Sequence, residues 1–253
     1  MKTHWNIHSF LSGTRCYFLW IAAGLIAIHL AYGAERILPV FPYEGNFSES
    51  FTVGETWIYE HHGVRSSGNI GQPVNGDRVE EVVSKQTADD RELWIVKMKW
   101  GVDDFEPIRT FLDARRFIHR IEHGAFTADM KPSCPYEMID LKPGELREYT
   151  AEQVSENLVI PIQVKAERLI DETVETPAGI FQDCQKVKVV LTCEFPDRKA
   201  PIKLNYMLWY HPKVNGMIKE SFLFIPSPED GNTLEKLQGV SLLKSYTVQR
   251  KES

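Results

Sequence analysis

Residues His119-Arg120-Ile121-Glu122-His123 match H-x-x-E-H, the order of metal-binding residues in the inverted zinc proteases. On a helix, two histidines four apart lie about 6 Å from each other on one face and can share a zinc ion. On a strand the same pair is about 13 Å apart, at roughly 3.3 Å per residue, and cannot share one. Gly124 follows at once, no strong helical pattern surrounds the motif, and Glu194, a third ligand in principle, falls at a predicted strand end. A metal-dependent hydrolase using His119, Glu122 and His123 is therefore the alternative reading, with His119 and His123 as its metal ligands. His61-His62, with His211 elsewhere, is a second candidate pair, but neighbours on a strand face opposite sides.

No G-x-S-x-G, phosphate-binding loop or dinucleotide fingerprint occurs, and Gly239-Val240-Ser241 lacks the closing glycine. The carboxylate pairs Glu80-Glu81, Asp89-Asp90 and Asp103-Asp104 sit beside turn residues or alternate along strands, and read as solvated faces. With no catalytic constellation, the expectation is a non-enzymatic domain without a cofactor. The other candidate site is aromatic: Trp57, Tyr59, Trp94, Trp100, Tyr206 and Trp209 all lie on predicted strands. They fit core packing. They also fit the apolar concave face of a half-open barrel holding an acyl chain or similar ligand.

The elements that must position these residues show period-two alternation. Phe51, Val53, Trp57 and Tyr59 share a face, as do Trp94, Val96, Met98 and Trp100, with Lys97 and Lys99 opposite. Val187, Val189 and Leu191 alternate with lysines, and Ile202, Leu204, Tyr206, Leu208 and Tyr210 form a further face. Ile218, Phe222 and Phe224, then Val240, Leu242, Tyr246 and Val248, continue the pattern. Turn signals at Asn75-Gly76, Pro143-Gly144, Pro177-Ala178-Gly179, Pro196-Asp197, Asn215-Gly216 and Asp230-Gly231 separate the runs. This predicts about nine to eleven strands in an antiparallel meander. Thr233 to Gln238 reads as a short turn of helix, residues 61–78 as a long flexible connection, and Phe111 to Ala125 as strand in preference to helix. Gly54-Glu55-Thr56-Trp57-Ile58-Tyr59 is echoed by Gly144-Glu145-Leu146-Arg147-Glu148-Tyr149, consistent with two related halves.

Residues 1–33 read as an export signal. Lys2 and Arg15 precede an apolar run from Tyr17 to Ile28, and the small residues Ala31 and Gly33 place a cleavage site before Ala34. An uncleaved anchor is the alternative. Residues 34–50 form an extended lead-in and 51–253 a single β-rich domain. Removing the signal takes the net charge of −6 to −8, which is unfavourable for nucleic acid. The expected location is the periplasm or cell envelope. Cys134, Cys184 and Cys193 remain, either as one disulfide and a free thiol or as buried unpaired thiols.

Several segments together resemble a family of exported bacterial proteins of unknown function, sometimes called TapB-like. Thr176-Pro177-Ala178-Gly179 through Lys186-Val187 resembles its hairpin, Leu208-Trp209-Tyr210 through Lys219 its strand–turn–strand, and Gly54 to Tyr59 its opening strand. His211 and Asn215 depart from the small residues usual there. The family is similar in fold to the periplasmic lipoprotein carriers such as LolA. The resemblance implies a mainly β fold: a strongly curved antiparallel sheet, an open half-barrel with few short helices, around an apolar concavity. It implies no enzyme activity. The expectation is an exported envelope domain that binds a lipid or other apolar ligand, or acts as an assembly component with an envelope protein partner.

Overall fold

The computed structural model describes residues 38–47, 51–67, 70–88, 90–101, 106–225 and 236–248. The expected export signal lies outside these residues, as do Asp89, Asp103, Asp104 and residues 226–235.

The alternating segments form fourteen strands among the described residues: β1 (Val40–Phe41), β2 (Thr56–Ser67), β3 (Ile70–Ala88), β4 (Arg91–Trp100), β5 (Ile108–Leu112), β6 (Phe117–His123), β7 (Phe126–Pro135), β8 (Leu146–Ser155), β9 (Leu158–Arg168), β10 (Glu172–Thr176), β11 (Gly179–Cys193), β12 (Ile202–His211), β13 (Gly216–Phe224) and β14 (Lys236–Thr247). Strands β2 to β9 pair in sequence, β11 to β14 do the same, and β14 returns to β2.

The last joint overturns the expected open half-barrel with short helices. Val187–Cys193 of β11 pair antiparallel with Ile162–Arg168 of β9, so twelve strands close into one ring. Closure is possible because β11 is 15 residues long. Its first part pairs with β10 and, in parallel, with β1, which leaves its second part for β9. No α-helix occurs among the described residues, and the only helical turn there is 3-10, Pro212–Val214. Lys236–Gln238, expected to be helical, opens β14.

Residues 61–78 are likewise not a loose connection. They belong to β2 and β3, paired from Thr56↔Glu81 to Ser67↔Ile70. Their glycines and serines signal a loop, but a full cross-strand ladder outweighs weak strand propensity. Phe111 to Ala125 does contain strands. Asp113 ends β5 by accepting hydrogen bonds from Arg115 N at 2.9 Å and Phe117 N at 3.0 Å, and β6 follows.

The predicted faces point inward on β2, β4, β11, β12 and β13, except that Val53, in the turn before β2, is exposed. On β14 the buried set that joins the two core clusters is Leu237 and Leu243, with Ser241 bonded to His61. Of the expected face, Val240 and Leu242 lie on the other side of that strand, whereas the register shift between Leu243 and Ser245 brings Tyr246 opposite Trp57, on the side of Leu243. Both sides of β14 carry apolar residues, so period two alone does not choose between them.

The echo between the two halves is geometric. Gly54 N donates to Val82 O at 2.8 Å, Val82 N to Glu55 O at 2.9 Å, and Glu55 N to Thr52 O at 3.0 Å. In the second half Gly144 N donates to Arg168 O at 3.0 Å, Arg168 N to Glu145 O at 2.9 Å, and Glu145 N to Lys142 O at 2.9 Å. Each glutamate also caps its own turn, Glu55 Oε2 accepting from Thr52 N and Glu145 Oε2 from Lys142 N. The glycines have φ of +96° and +76°, a region that favours glycine. The same device therefore opens two halves of six ring strands, β2–β7 and β8–β14 without β10.

A ring of twelve strands is wider than the roughly eight-strand barrel that side chains alone fill. The connection from β7 to β8 fills part of the difference. It leaves a joint where β7 and β8 pair only over Asp129–Lys131, since Pro132 has no N–H to continue the ladder. It then packs inward: Tyr136 N donates to Arg116 O at 2.8 Å, Tyr136 OH to Glu80 at 3.3 Å, and Met138 and Leu141 are buried. We refer to residues 136–141 as the strap. One core cluster contains Met138, Leu141, Ile160, Tyr206 and Phe222; the other contains Trp57, Tyr59, Trp94, Phe181 and Ile218.

Candidate functional site

The interior retains a cavity of about 260 Å³, near the small end of ligand pockets, which start at about 300 Å³. Its walls are mainly aliphatic and thioether side chains, among them Met98, Ile121, Ile162, Val164, Leu191 and Leu208. Arg78, Glu80, Glu137, Gln153, Tyr206 and Glu220 also line it. An apolar chamber thus has a charged pole.

The pole is built from β3, β13 and the strap. Arg78 Nη1 donates to Glu220 Oε2 at 2.5 Å, and Arg78 Nε lies 3.2 Å from Glu80 Oε1. The guanidinium stacks over Tyr59 at 4.5 Å and faces Trp100 at 5.7 Å. Burial holds the Glu80 carboxyl above the ordinary carboxylate range, although Arg78 opposes the shift. Two neighbours in this pole have an unpaired atom: Arg78 Nη2 and Tyr206 Oη are buried with no hydrogen-bond partner. Arg78 is 3% exposed and Tyr206 8%.

Of the six aromatics singled out in the sequence, Tyr206 lines the cavity. Tyr59 and Trp100 flank Arg78 from behind, and the Tyr59 hydroxyl donates to Met217 O at 3.1 Å. Trp57 donates to Val214 O at 2.7 Å and packs with Trp94 in the second cluster. Trp209, on the face of β12 opposite Tyr206, donates to Glu172 Oε1 at 2.6 Å beneath Lys186 and Lys219.

Sequence reading missed Arg78, Glu80, Glu137 and Glu220. Glu80-Glu81 was expected to be a solvated pair, but only Glu81 is exposed; Glu80 is 7% exposed. A signal was present. Glu220 stands between Ile218 and Phe222 on an apolar face, and Glu80 alternates with Val82, so each is a charge at an inward position. Glu137 had no such signal, because it lies outside any strand.

The H-x-x-E-H residues lie along strand β6, where four-residue spacing separates the histidines. His119 Nε2 is 3.0 Å from Asp113 Oδ2, and Glu122 faces Arg109 at 3.8 Å. No metal-holding group of three or more such side chains occurs among the described residues, so nothing supports the zinc hydrolase. His61 Nδ1 is 2.8 Å from Ser241 Oγ, and His62 Nε2 3.1 Å from Glu60. Cys134, Cys184 and Cys193 are free and buried. Burial pushes the Cys134 and Cys184 thiols up to about 12 and Cys193 higher still, so they behave as core residues rather than nucleophiles.

His211 has a different role. Its Nδ1 accepts from Lys213 N at 3.1 Å, capping the 3-10 turn, and its ring packs against Phe181 and Tyr43. Burial lowers its pKa from 6.5 to about 4. A depressed folded pKa means that the stability is present above about pH 6.5 and is lost as pH falls through about 4. The loss should be on the order of 2 kcal/mol, or about 5 °C in melting temperature. In His211→Asn an amide oxygen caps the turn without titrating, so its melting temperature should be flatter across that interval.

No protein-family model matches this chain, and no curated protein matches it. Two crystal structures are similar. A candidate lipoprotein of Parabacteroides distasonis is 16% identical, covers 81% of this chain and 100% of its own, and has a TM-score of 0.46. A candidate exported protein with a YmcC-like fold from Bacteroides fragilis is 15% identical, covers 80% of this chain and 100% of its own, and has a TM-score of 0.45. Neither likeness reaches a TM-score of 0.5, so neither bears on what this chain does.

Proposed function

We propose that this chain is an exported, non-enzymatic barrel that holds an apolar ligand, such as a lipid acyl chain, in its interior. The observation that carries the reading is the cavity of about 260 Å³ walled by Met98, Ile121, Ile162, Val164, Leu191 and Leu208. A core closed only for stability would be packed to the density of an organic crystal. The lysines at 99, 188 and 203 are exposed on the opposite faces, so the barrel is polar outside and apolar inside, the reverse of a membrane-spanning barrel. Export rests on the N-terminal signal, and no helix among the described residues is long and apolar enough to cross a membrane.

The test is native mass spectrometry of the protein purified from the envelope of cells expressing the full chain, beside a Val164→Phe variant. The wild type should carry a lipid-sized mass released on denaturation. Val164 is 3% exposed on the cavity wall, so the larger ring should abolish the added mass at a cost of about 1–3 kcal/mol in stability. A bare wild type that also takes up no methyl decanoate, or an adduct that persists in the variant, would refute the reading.

A further inference from the structure

The polar pole constrains the head of such a ligand. Arginine can only donate, so the unpaired Arg78 Nη2 calls for an acceptor, and the unpaired Tyr206 hydroxyl is a second donor on the same cavity. Both atoms belong to residues that line the cavity. An uncompensated buried donor is costly, so an acceptor brought by a ligand would be favoured there.

The charge around them decides which acceptor. Glu80, Glu137 and Glu220 line the cavity, and the cations there are Arg78 and, behind Glu137, Arg116. Arg78 is already engaged by Glu220 and Glu80, and Arg116 by Glu137. Carboxylates therefore outnumber guanidiniums by one. A ligand carboxylate or phosphate would add like charge to a buried site with no spare cation among the described residues. An uncharged carbonyl oxygen meets the two donors without that cost.

We infer that the cavity selects a neutral amphiphile whose ester or amide carbonyl meets Arg78 and Tyr206, and discriminates against the free carboxylate of the same chain. The inference rests on the proposed ligand-binding reading. Selection of this kind combines an attractive contact with a repulsive one.

The experiment titrates the purified protein at neutral pH with methyl decanoate, decanoate and decane, read by native mass spectrometry. The ester should bind about tenfold tighter than decanoate. Tyr206→Phe, which removes only the unpaired hydroxyl, should weaken the ester about threefold to tenfold. It should leave decane unchanged and should not lower the melting temperature of the unliganded protein. A merely structural tyrosine would give the opposite pattern, lost stability with unchanged ester preference. Decanoate binding as tightly as the ester would overturn the head-group assignment while leaving the cavity reading in place. Failure of all three probes to bind would overturn both.

Discussion

Replacing Arg116 by methionine should destabilise the protein by about 3–5 kcal/mol, the usual cost of removing one partner of a buried ion pair. At this chain length that is roughly 10 °C in melting temperature. Arg116 is 2% exposed and joins three parts of the chain. It comes from the β5–β6 turn of the first half. Its Nη1 donates to Glu137 of the strap and, at 3.0 Å, to Asn215 O; its Nη2 donates to Asn215 Oδ1 at 2.6 Å in the second half. The guanidinium also covers the Phe51 ring at 4.4 Å. Lysine should rescue little, since a single ammonium cannot reproduce the planar fork that meets Asn215 and Glu137 together. The double variant Arg116→Met, Glu137→Leu should recover much of the loss, because the carboxylate that Arg116 bonds is then removed with it. Thermal denaturation of the wild type, the single variants Arg116→Met and Glu137→Leu, and the double variant forms a double-mutant cycle. A loss below about 1 kcal/mol in the Arg116→Met single variant would show that the Arg116 guanidinium does not hold the strap.

Arg116 also shows where sequence reading stops. In Asp113-Ala114-Arg115-Arg116 it looks the same as its exposed neighbour Arg115. Burial there follows from the strap passing beneath the turn, a contact with Glu137 that is 21 residues away and Asn215 that is 99 away. The strands themselves were legible because alternation is local: Leu204, Tyr206, Leu208 and Tyr210 announce their shared face without knowledge of any other strand. The paired Gly-Glu turns were legible for the same reason. Closure was not, because the pairing of Val189 with Ala166 depends on β11 outrunning β10, and nothing within β11 reports which partner its far end meets. The charged pole sits between these cases. Glu220 announces itself as a misplaced charge on an apolar face, but its partner Arg78 lies 142 residues away.

Replacing Arg78 by methionine should cost about 3–5 kcal/mol at neutral pH, and the cost should shrink on acidification. The variant leaves Glu80 and Glu220 facing the cavity without the guanidinium that bonds one at 2.5 Å and lies 3.2 Å from the other. Burial already raises the Glu80 pKa, and Arg78 is what opposes that rise. Without Arg78 the folded-state pKa climbs further, so the folded variant takes up protons that the unfolded chain does not. Its stability is then fullest below the unfolded carboxylate value and is lost as pH rises through the folded one. The wild type loses stability toward acid through His211, but so does the variant, and the difference between them cancels that contribution. Chemical denaturation at neutral pH and near pH ~5 measures the difference directly. A deficit that narrows toward acid identifies uncompensated carboxylates as its origin; a deficit independent of pH would mean that Arg78 acts through its stacking on Tyr59 and Trp100 instead.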